Sequence, residues 1–406
     1  MAAKRKDHKG RVLKDGESYR DYDGRYSYRF TDENGKRHTV YAKSLDELRK
    51  KEDEIHYDRM DGIRLDHRGI TVNELYDQYI DSRTDLKDAT RNNYNYVYNH
   101  FVRDGFGKRK IADVNFSTVM KFYRHIIDDL VVKPNSLESV HTILHPVFQR
   151  AVRDQYIRNN PTDGAMGEIK KSRNWEKPKR RALTIEEQNA FVDFLKESKT
   201  YEHWKNMFTL FLGTGCRVSE LVGLRWEDCD FENNIISINH GLTYRQDADG
   251  KCRFHISTPK TDAGIREIPM LKDVRSALLA EREKQLAEGP CKSEIDGYKN
   301  FVFKNRDGGV VNPESINRAI GRIVKEINEA EAKKAETEQI IIHHFSVHNL
   351  RHTFCTRFCE NETNLKVIQD IMGHSDIQTT MNVYAEATRE KKQSSIENLE
   401  GKVKIS

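Results

Sequence analysis

The sequence predicts a multidomain, mainly α-helical protein. A small β-ribbon domain is expected at the N-terminus, a helical domain in the middle, and a mixed α+β domain at the C-terminus. The chain has 406 residues, which is too long for one ordinary hydrophobic core. Residues of alternating character flank a turn signal within the first 42 residues. Beyond residue 70, apolar residues recur at steps of three and four, which is typical of helices.

Residues 1–70 are predicted to form a β ribbon closed by a helix. Segments 25–30 and 37–42 alternate in character, and residues 33–36 between them, Glu-Asn-Gly-Lys, are a hairpin turn signal. Residues 45–60 have the pattern of a charged helix. An outward face with arginine and tyrosine side chains could lie in a DNA groove. A plain hairpin with a polar face explains the same residues equally well.

Residues 71–168 are predicted to form four or five short helices. The first begins at Thr71, which with Glu74 matches a capping box. Pro161 marks the end of the helical pattern. Residues 169–181 contain seven basic residues and one acidic residue, and we expect them to form a basic linker.

The last predicted domain spans residues 182–388, and residues 389–406 form a polar tail. Thr184 opens a second capping box, and helices are expected to continue to about residue 224. Strands are predicted around 235–238 and 254–257, joined by a hairpin that contains Gly250. Further helices follow.

The formal net charge of +5 is modest, but it is concentrated in two blocks. Residues 1–43 hold twelve basic residues against seven acidic ones, and residues 169–181 form the second block. Two basic blocks fit two contacts with a polyanion, although solvated segments explain a charge run taken alone. No apolar run is long enough to cross a membrane, and the N-terminus lacks a signal-peptide core. We therefore expect a cytoplasmic protein.

The six cysteines show no paired framework, which favours a reducing compartment. Cys355 and Cys359 follow His348 and His352 at helical spacing, which is one feature of a zinc cluster. Phenylalanines interleave with these cysteines as on a buried helix face, and the ligand spacing typical of zinc sites is missing. The sequence therefore predicts neither a metal nor another cofactor.

Six residues could together move a DNA phosphodiester from an alcohol to a phenol. Tyrosine is the nucleophile in such a reaction, and because its ordinary pKa is about 10 it needs nearby cations. Arginines offer paired donors to the phosphate oxygens, histidines carry protons, and a lysine can protonate the departing 5′ oxygen. The six candidates are Arg217, Lys260, His348, Arg351, His374 and Tyr384.

The spacing of these residues strengthens the assignment. His348 and Arg351 are three residues apart and share one helical face. His374 is placed in a turn before a helix that carries Tyr384 near its end. Glu220, one helical turn after Arg217, is predicted to orient that arginine. Each residue taken singly has a structural explanation, and only their order and spacing favour catalysis.

These motifs resemble those of the tyrosine recombinase family, the phage-type integrases. The resemblance rests on Arg217 in Thr-Gly-Cys-Arg-Val-Ser-Glu-Leu, a hairpin Lys260, His348-Asn-Leu-Arg351-His352, Gly373-His374, and Tyr384 ten residues further on. It extends along the whole chain. The order of ribbon, helical block, basic linker and C-terminal domain looks like that of the integrases of Tn916- and Tn1549-type conjugative transposons.

The resemblance implies an arm-type DNA-binding domain at 1–70, a core-binding domain at 71–168 and a catalytic domain at 182–388. It implies that Tyr384 forms a 3′-phosphotyrosyl bond and that strands are exchanged through a Holliday junction, without metal or ATP. The expected partners are double-stranded DNA at element ends and target sites, and other copies of the chain in a synaptic tetramer. An excisionase and a DNA-bending protein are candidate helpers, and no membrane is involved.

The two basic blocks supply the predicted DNA-binding residues. They are Arg25, Tyr26, Tyr28 and Arg37 in the ribbon, and Lys170, Lys171, Arg173, Lys177, Lys179, Arg180 and Arg181 in the linker.

Three other functions would explain parts of the same sequence. A chromosome-dimer or plasmid resolvase would use the same chemistry, but such relatives usually lack an N-terminal ribbon. A catalytically inactive DNA-binding regulator would be plausible if one of the six positions were replaced, and none is. A metal-dependent hydrolase would need clustered carboxylates beside the histidines, which the sequence lacks.

Overall fold

The structure is a computed structural model. It describes residues 5–66, 69–130, 134–172, 181–247, 250–259, 261–335 and 339–397, excepting the side chains of 134 and 388–397. The chain divides into two compact units, residues 1–177 and 178–406. No helix among the described residues is long and apolar enough to cross a membrane.

The first unit begins with an antiparallel sheet in the order β1-β2-β3, covered by one helix. The elements are β1 Glu17–Arg20, β2 Arg25–Thr31, β3 Arg37–Ala42 and α1 Leu45–Met60. The predicted hairpin and helix are confirmed, and β1 is a third strand that the sequence did not predict. Ser44 caps α1 by accepting a hydrogen bond from the backbone N–H of Glu47.

The prediction that Tyr26 and Tyr28 face outward is wrong. Their side chains are only 2% and 8% exposed, and they belong to the small core that includes Leu45 and Leu48 of α1. The Tyr26 hydroxyl donates to Oδ2 of Asp7 at 2.9 Å. The apolar stripe of β2 thus faces α1, since successive side chains of a strand point to opposite faces of the sheet.

The rest of the first unit is a helical bundle with its own core. Its helices are α2 Val72–Ser82, α3 Asp88–Phe101, α4 Phe116–Asp128, α5 Pro134–Arg153 and α6 Ala165–Ser172. The core is built around the fully buried rings of Tyr76, Tyr98, Tyr123 and Phe148. The capping box of Thr71 and Glu74 at the start of α2 is confirmed.

The sequence predicts a basic linker from residue 169, whereas the structure begins this segment with helix. Residues 169–172 are the last residues of α6, and the Ile169 side chain is fully buried in the bundle core. Burial of this isoleucine keeps the first two lysines of the segment on the helix. Residues 173–180 lie outside the described part of the chain.

The second unit combines helices with two small antiparallel sheets, β4-β5-β8 and β6-β7. The helices are α7 Ile185–Glu197, α8 Glu202–Thr214, α9 Val218–Val222, α10 Lys272–Glu288, α11 Pro313–Glu331, α12 Val347–Asn361, α13 Leu365–Met372 and α14 Ile377–Glu397. The strands are β4 Cys229–Asp230, β5 Ile235–Ile238, β6 Gly241–Gln246, β7 Cys252–Ser257 and β8 Arg266–Pro269. The capping box predicted at Thr184 is present at the start of α7.

Two predictions for this unit are wrong. The hairpin that contains Gly250 joins β6 to β7, whereas β5 pairs with β4 and β8. Strand β6 was not predicted because its last four residues, Thr-Tyr-Arg-Gln, are polar or exposed. Tyr384 also does not lie near the end of its helix, because α14 continues without a break to Glu397 through the residues predicted to begin a tail.

Candidate active site

Arg217 lies between α8 and α9 and is held at both ends of its guanidinium. Its Nη1 donates to Oε1 of Glu220 at 2.6 Å, and its Nη2 donates to the carbonyl oxygen of Gly373 at 2.8 Å. The backbone N–H of Arg217 donates to Oε2 of Glu220 at 2.8 Å. The Arg217 side chain remains 40% exposed. It is therefore a positioned cation that solvent can reach.

Arg351 lies on α12 and is buried, with 4% of its surface exposed. Its Nη1 donates to the carbonyl oxygen of Gly215 at 2.7 Å, and its Nη2 donates to the carbonyl oxygen of Met372. Burial, together with the nearby charge of Arg217, lowers the pKa of Arg351 to about 10. This arginine connects the loop before Arg217 to the turn before His374.

Three consecutive carbonyl groups at the C-terminal end of α13 accept hydrogen bonds from three different arginines. The carbonyl of Ile371 accepts from Nε of Arg266 at 2.7 Å, while Met372 and Gly373 accept from Arg351 and Arg217 as described. Cations are favoured at a helix C-terminus, where carbonyl groups lack partners within the helix. The end of α13 thus gathers residues from β8, α12 and the loop before α9.

His374 follows directly after these carbonyl groups. Its Nδ1 lies 3.0 Å from Oγ1 of Thr380. Burial lowers the pKa of His374 to about 4, and the charges of Arg351, Arg217 and Arg266 and the nearby His348 add to the effect. His374 is therefore neutral near pH 7. His348 lies on an exposed position of α12.

Glu220 is buried and accepts hydrogen bonds from Arg217, the residue that it is predicted to orient. Burial raises the pKa of its carboxyl group, but hydrogen bonds and charge from Arg266 and the charge of Arg217 outweigh burial and lower the pKa to about 2. The carboxylate is therefore ionised throughout the neutral range.

Tyr384 lies on α14, which packs against α12 and α13. Its half-buried side chain packs against an apolar cluster that includes Cys355, Cys359 and Met372. Met372 is also the residue whose carbonyl accepts from Arg351. The candidate nucleophile is thus carried by a helix that packs on the arginine-binding turn within the same chain. The two cysteines are buried in this cluster.

Of the other predicted site residues, two lie on α6 and five fall outside the described part of the chain. Lys260 lies outside the described residues, between the end of β7 and a helical turn at Asp262–Gly264. Lys170 forms an ion pair with Glu138 at 2.7 Å, and Lys171 is exposed. The predicted DNA contacts Arg173, Lys177, Lys179 and Arg180 fall outside the described part of the chain.

Arg181, a predicted DNA contact, is ion-paired within the protein and remains 44% exposed. Its Nη1 and Nη2 donate to the two carboxylate oxygens of Glu187 at 2.8 and 2.6 Å. Such paired bonds fix the side chain against the first turn of α7.

Arg266 and part of the ribbon surface were not predicted from the sequence. Arg266 has no local motif, and only the tertiary fold brings it to Glu220 and α13. Arg29, by contrast, lies four residues after Arg25 on the same exposed face of β2, so strand alternation could have revealed it.

The second unit matches a known family. The sequence model described as "Phage integrase family" matches residues 181–391, more than half of the chain. This chain belongs to the phage integrase family. It is a tyrosine recombinase, an enzyme that cuts and rejoins DNA, of the Tn916 and Tn1549 type. The predicted family, fold class and enzyme activity are confirmed. Two further models match, "DNA binding domain of tn916 integrase" at residues 1–59 and "Phage integrase, N-terminal SAM-like domain" at residues 71–127.

Curated relatives extend the match over nearly the whole integrase. The chain is 31% identical over 404 residues to the transposase from transposon Tn916 of Enterococcus faecalis, covering 96% of this chain and 95% of the relative. It matches the transposase from transposon Tn1545 of Streptococcus pneumoniae with the same identity and coverage.

Solved structures agree with this assignment. A Tn1549 transposon integrase in complex with transposon right end DNA has a TM-score of 0.70 and 30% identity, covering 81% of this chain and 99% of that one. A lambda integrase dimer bound to a core site has a TM-score of 0.53 and 16% identity, covering 92% and 95%, and supports the fold alone.

Proposed function

We propose that this integrase excises and inserts a conjugative transposon by acting on the DNA at the element's ends. The proposal is supported by the Tn1549 integrase structures, one with transposon right end DNA and another with a circular intermediate DNA. The observation that carries it is the convergence of Arg217, Arg351 and His374 on the turn after α13, against which the helix of Tyr384 packs.

In the proposed reaction the Tyr384 phenol oxygen attacks the phosphorus of one DNA strand. The bond from phosphorus to the 5′ oxygen breaks, and a 3′-phosphotyrosyl bond takes its place. His348 takes the phenol proton, and Lys260 gives a proton to the departing 5′ oxygen. The 5′ hydroxyl of a second strand then gives its proton to Lys260 and attacks the phosphorus. The bond from phosphorus to the phenol oxygen breaks, and His348 returns the proton to Tyr384. Two such rounds of exchange proceed through a Holliday junction.

The two arginines have different roles in the proposed phosphate site. Arg217 is the exposed cation, and its contacts with Glu220 and Gly373 fix its orientation before DNA arrives. Arg351 is buried below it and anchors the turn. Preorganised donors stabilise developing charge without reorganisation during the reaction.

The open face of the N-terminal sheet is the proposed arm-type DNA contact. The strand register places four arginines on this face, since Arg20 pairs with Arg25 and Thr31 pairs with Arg37, while Arg29 lies between. The Arg20 guanidinium also lies over the Tyr41 ring at 5.0 Å. The face opposite α1 is thus basic, which suits contact with a phosphate backbone.

The remaining steps involve partners. We propose that four copies assemble on two DNA duplexes, and that an excisionase and a DNA-bending protein regulate direction. Lys170, Lys171 and the basic residues that follow them would contact DNA, which is supported by their charge alone.

A covalent-capture experiment tests the proposal. The full chain is incubated with transposon-end DNA that is nicked next to the predicted crossover, so that the small released fragment diffuses away. A protein–DNA adduct that resists denaturant should form with the wild type and be lost with Tyr384→Phe, whereas both proteins should retard the DNA in a gel. Adduct formation by the phenylalanine variant would overturn the assignment of the nucleophile.

A further inference from the structure

Arg266, at the start of β8, is bound on three sides within the protein. Its Nη2 and Nη1 donate to the two carboxylate oxygens of Glu220 at 2.8 and 3.1 Å. Its Nε donates to the carbonyl oxygen of Ile371 at 2.7 Å. The side chain is only 5% exposed. Its guanidinium is therefore bound by protein atoms and is not available to DNA.

Glu220 is shared between two arginines. Each carboxylate oxygen accepts from Arg266, while Oε1 also accepts from Nη1 of Arg217 and Oε2 from its backbone N–H. A carboxylate with two oxygens can be held by one guanidinium and still orient another. Movement of Glu220 would therefore move Arg217.

The same guanidinium also contacts the turn that His374 follows. Gly373 has a left-handed φ of 62°, and a Cβ atom at this position would lie 3.0 Å from both Cδ and Nη1 of Arg266. Arg266 thus fills the space beside the glycine and binds the carbonyl two residues before it. Arg266 therefore contacts both Glu220, which holds Arg217, and the turn that precedes His374.

We infer that Arg266 is a positioning residue for strand cleavage, which aligns Arg217 through Glu220 and aligns His374 through the end of α13. The inference rests on the proposed function of the same site. A lysine cannot replace this arginine fully, because one ammonium group lacks the planar fork that binds a carboxylate with two bonds and a carbonyl with a third. A displacement of reacting groups by about 1 Å can cost about a hundredfold in rate.

Four variants in the full chain test the inference: Arg266→Lys, Arg266→Gln, the double variant Glu220→Gln with Arg266→Gln, and the control Arg282→Gln at an exposed position of α10. The rate of adduct formation is measured at saturating nicked DNA from pH 5 to 9. Folding is checked by circular dichroism and binding by gel retardation.

Arg266→Lys should fold and bind DNA but form the adduct at least roughly tenfold more slowly than the wild type. Arg266→Gln should show a rate that falls as the pH drops through the neutral range. Without Arg266, burial of Glu220 favours its protonated form, which releases Arg217. The charged or thiol groups that face Glu220 are Arg217, Arg266, Arg351 and Cys216. The double variant has no carboxylate to titrate and should lack this fall, while Arg282→Gln should match the wild type.

The inference would be overturned if Arg266→Lys formed the adduct at a rate within twofold of the wild type. It would also be overturned if Arg266→Gln formed the adduct more slowly than the wild type by the same factor at every pH. If Arg266→Gln does not fold, Arg266→Lys decides alone. Absence of an adduct with the wild type would overturn the proposed function itself, and the two failures are thereby distinguished.

Discussion

Arg217 donates a hydrogen bond to the carbonyl oxygen of Gly373 across 156 residues of sequence. This single contact sets the candidate phosphate-binding cation directly before His374. It depends on the left-handed conformation of Gly373, which ends α13 and turns its last carbonyl groups toward the arginines.

Substitution of Gly373 should therefore destabilise the catalytic unit. In Gly373→Ala a side chain would adopt a positive φ, and its Cβ would lie 2.9 Å from the carbonyl oxygen of Ala263. We expect the free energy of unfolding to fall by about 1–3 kcal/mol, with loss of adduct formation. Urea denaturation measures the change. The control is Gly321→Ala within α11, where a Cβ meets nothing within 4 Å. It should be neutral or stabilise the protein by about 0.5–1 kcal/mol, and equal effects of the two substitutions would contradict the account.

Stability should depend on pH through His374. The pKa of this histidine is about 4 in the folded protein, below its ordinary value of 6.5, because burial and nearby cations disfavour the charged form. A lowered pKa contributes stability that is present above pH 6.5 and is lost as the pH falls toward 4. Denaturation at a series of pH values should show that the free energy of unfolding of the wild type falls, relative to that of His374→Gln, as the pH drops over this window. A difference that stays constant from pH 7 to 4 would be inconsistent with a buried neutral histidine.

The open face of the N-terminal sheet should bind DNA by contacting the phosphate groups of the DNA backbone. Arg29→Ala removes one exposed guanidinium from this face, and we expect weaker binding to element-end DNA with a salt-dependence slope reduced by about 1. Lys50→Ala on α1, which covers the other face of the sheet, is the matched control. Fluorescence titrations from 50 to 300 mM salt give both slopes. If Lys50→Ala weakens binding as much as Arg29→Ala, the face has been assigned incorrectly.

Lys260 should act as the acid for the departing oxygen. Lys260→Ala should cleave normal DNA slowly, because a 5′ alkoxide is a poor leaving group. A substrate with sulfur in place of the bridging 5′ oxygen should restore most of the rate, since a thiolate departs without a proton. Tyr384→Phe should remain inactive on the same substrate. Failure of sulfur to restore Lys260→Ala would assign the acid role to another residue.

The sequence predicted those parts of the fold that depend on local patterns. The hairpin signal at Asn34-Gly35, the capping boxes at Thr71 and Thr184, and helix α1 all follow from neighbouring residues, and all are present. The inward-facing Tyr26 was misplaced because aromatic residues suit both a DNA-facing surface and a core. Which face of a strand is buried is decided by the helix that packs on it.

The candidate site was predictable only as far as motifs reach. Arg217 and Arg351 belong to recognisable motifs, and the structure brings both to the end of α13. Arg266 acts through Glu220, 46 residues earlier in the sequence, and such a tertiary contact leaves no local pattern. The pairing of β6 with β7 was missed for a related reason, because the exposed side chains of β6 do not show the alternation of a half-buried strand.

The most direct test of the central claim identifies the residue that carries DNA. The denaturant-resistant adduct is digested with a protease and the DNA is trimmed with a nuclease, after which mass spectrometry locates the remaining nucleotide. The account predicts one modified peptide, with the phosphate ester on Tyr384 and a 3′-linked nucleotide. A nucleotide attached to any other side chain, or joined through its 5′ end, would contradict it.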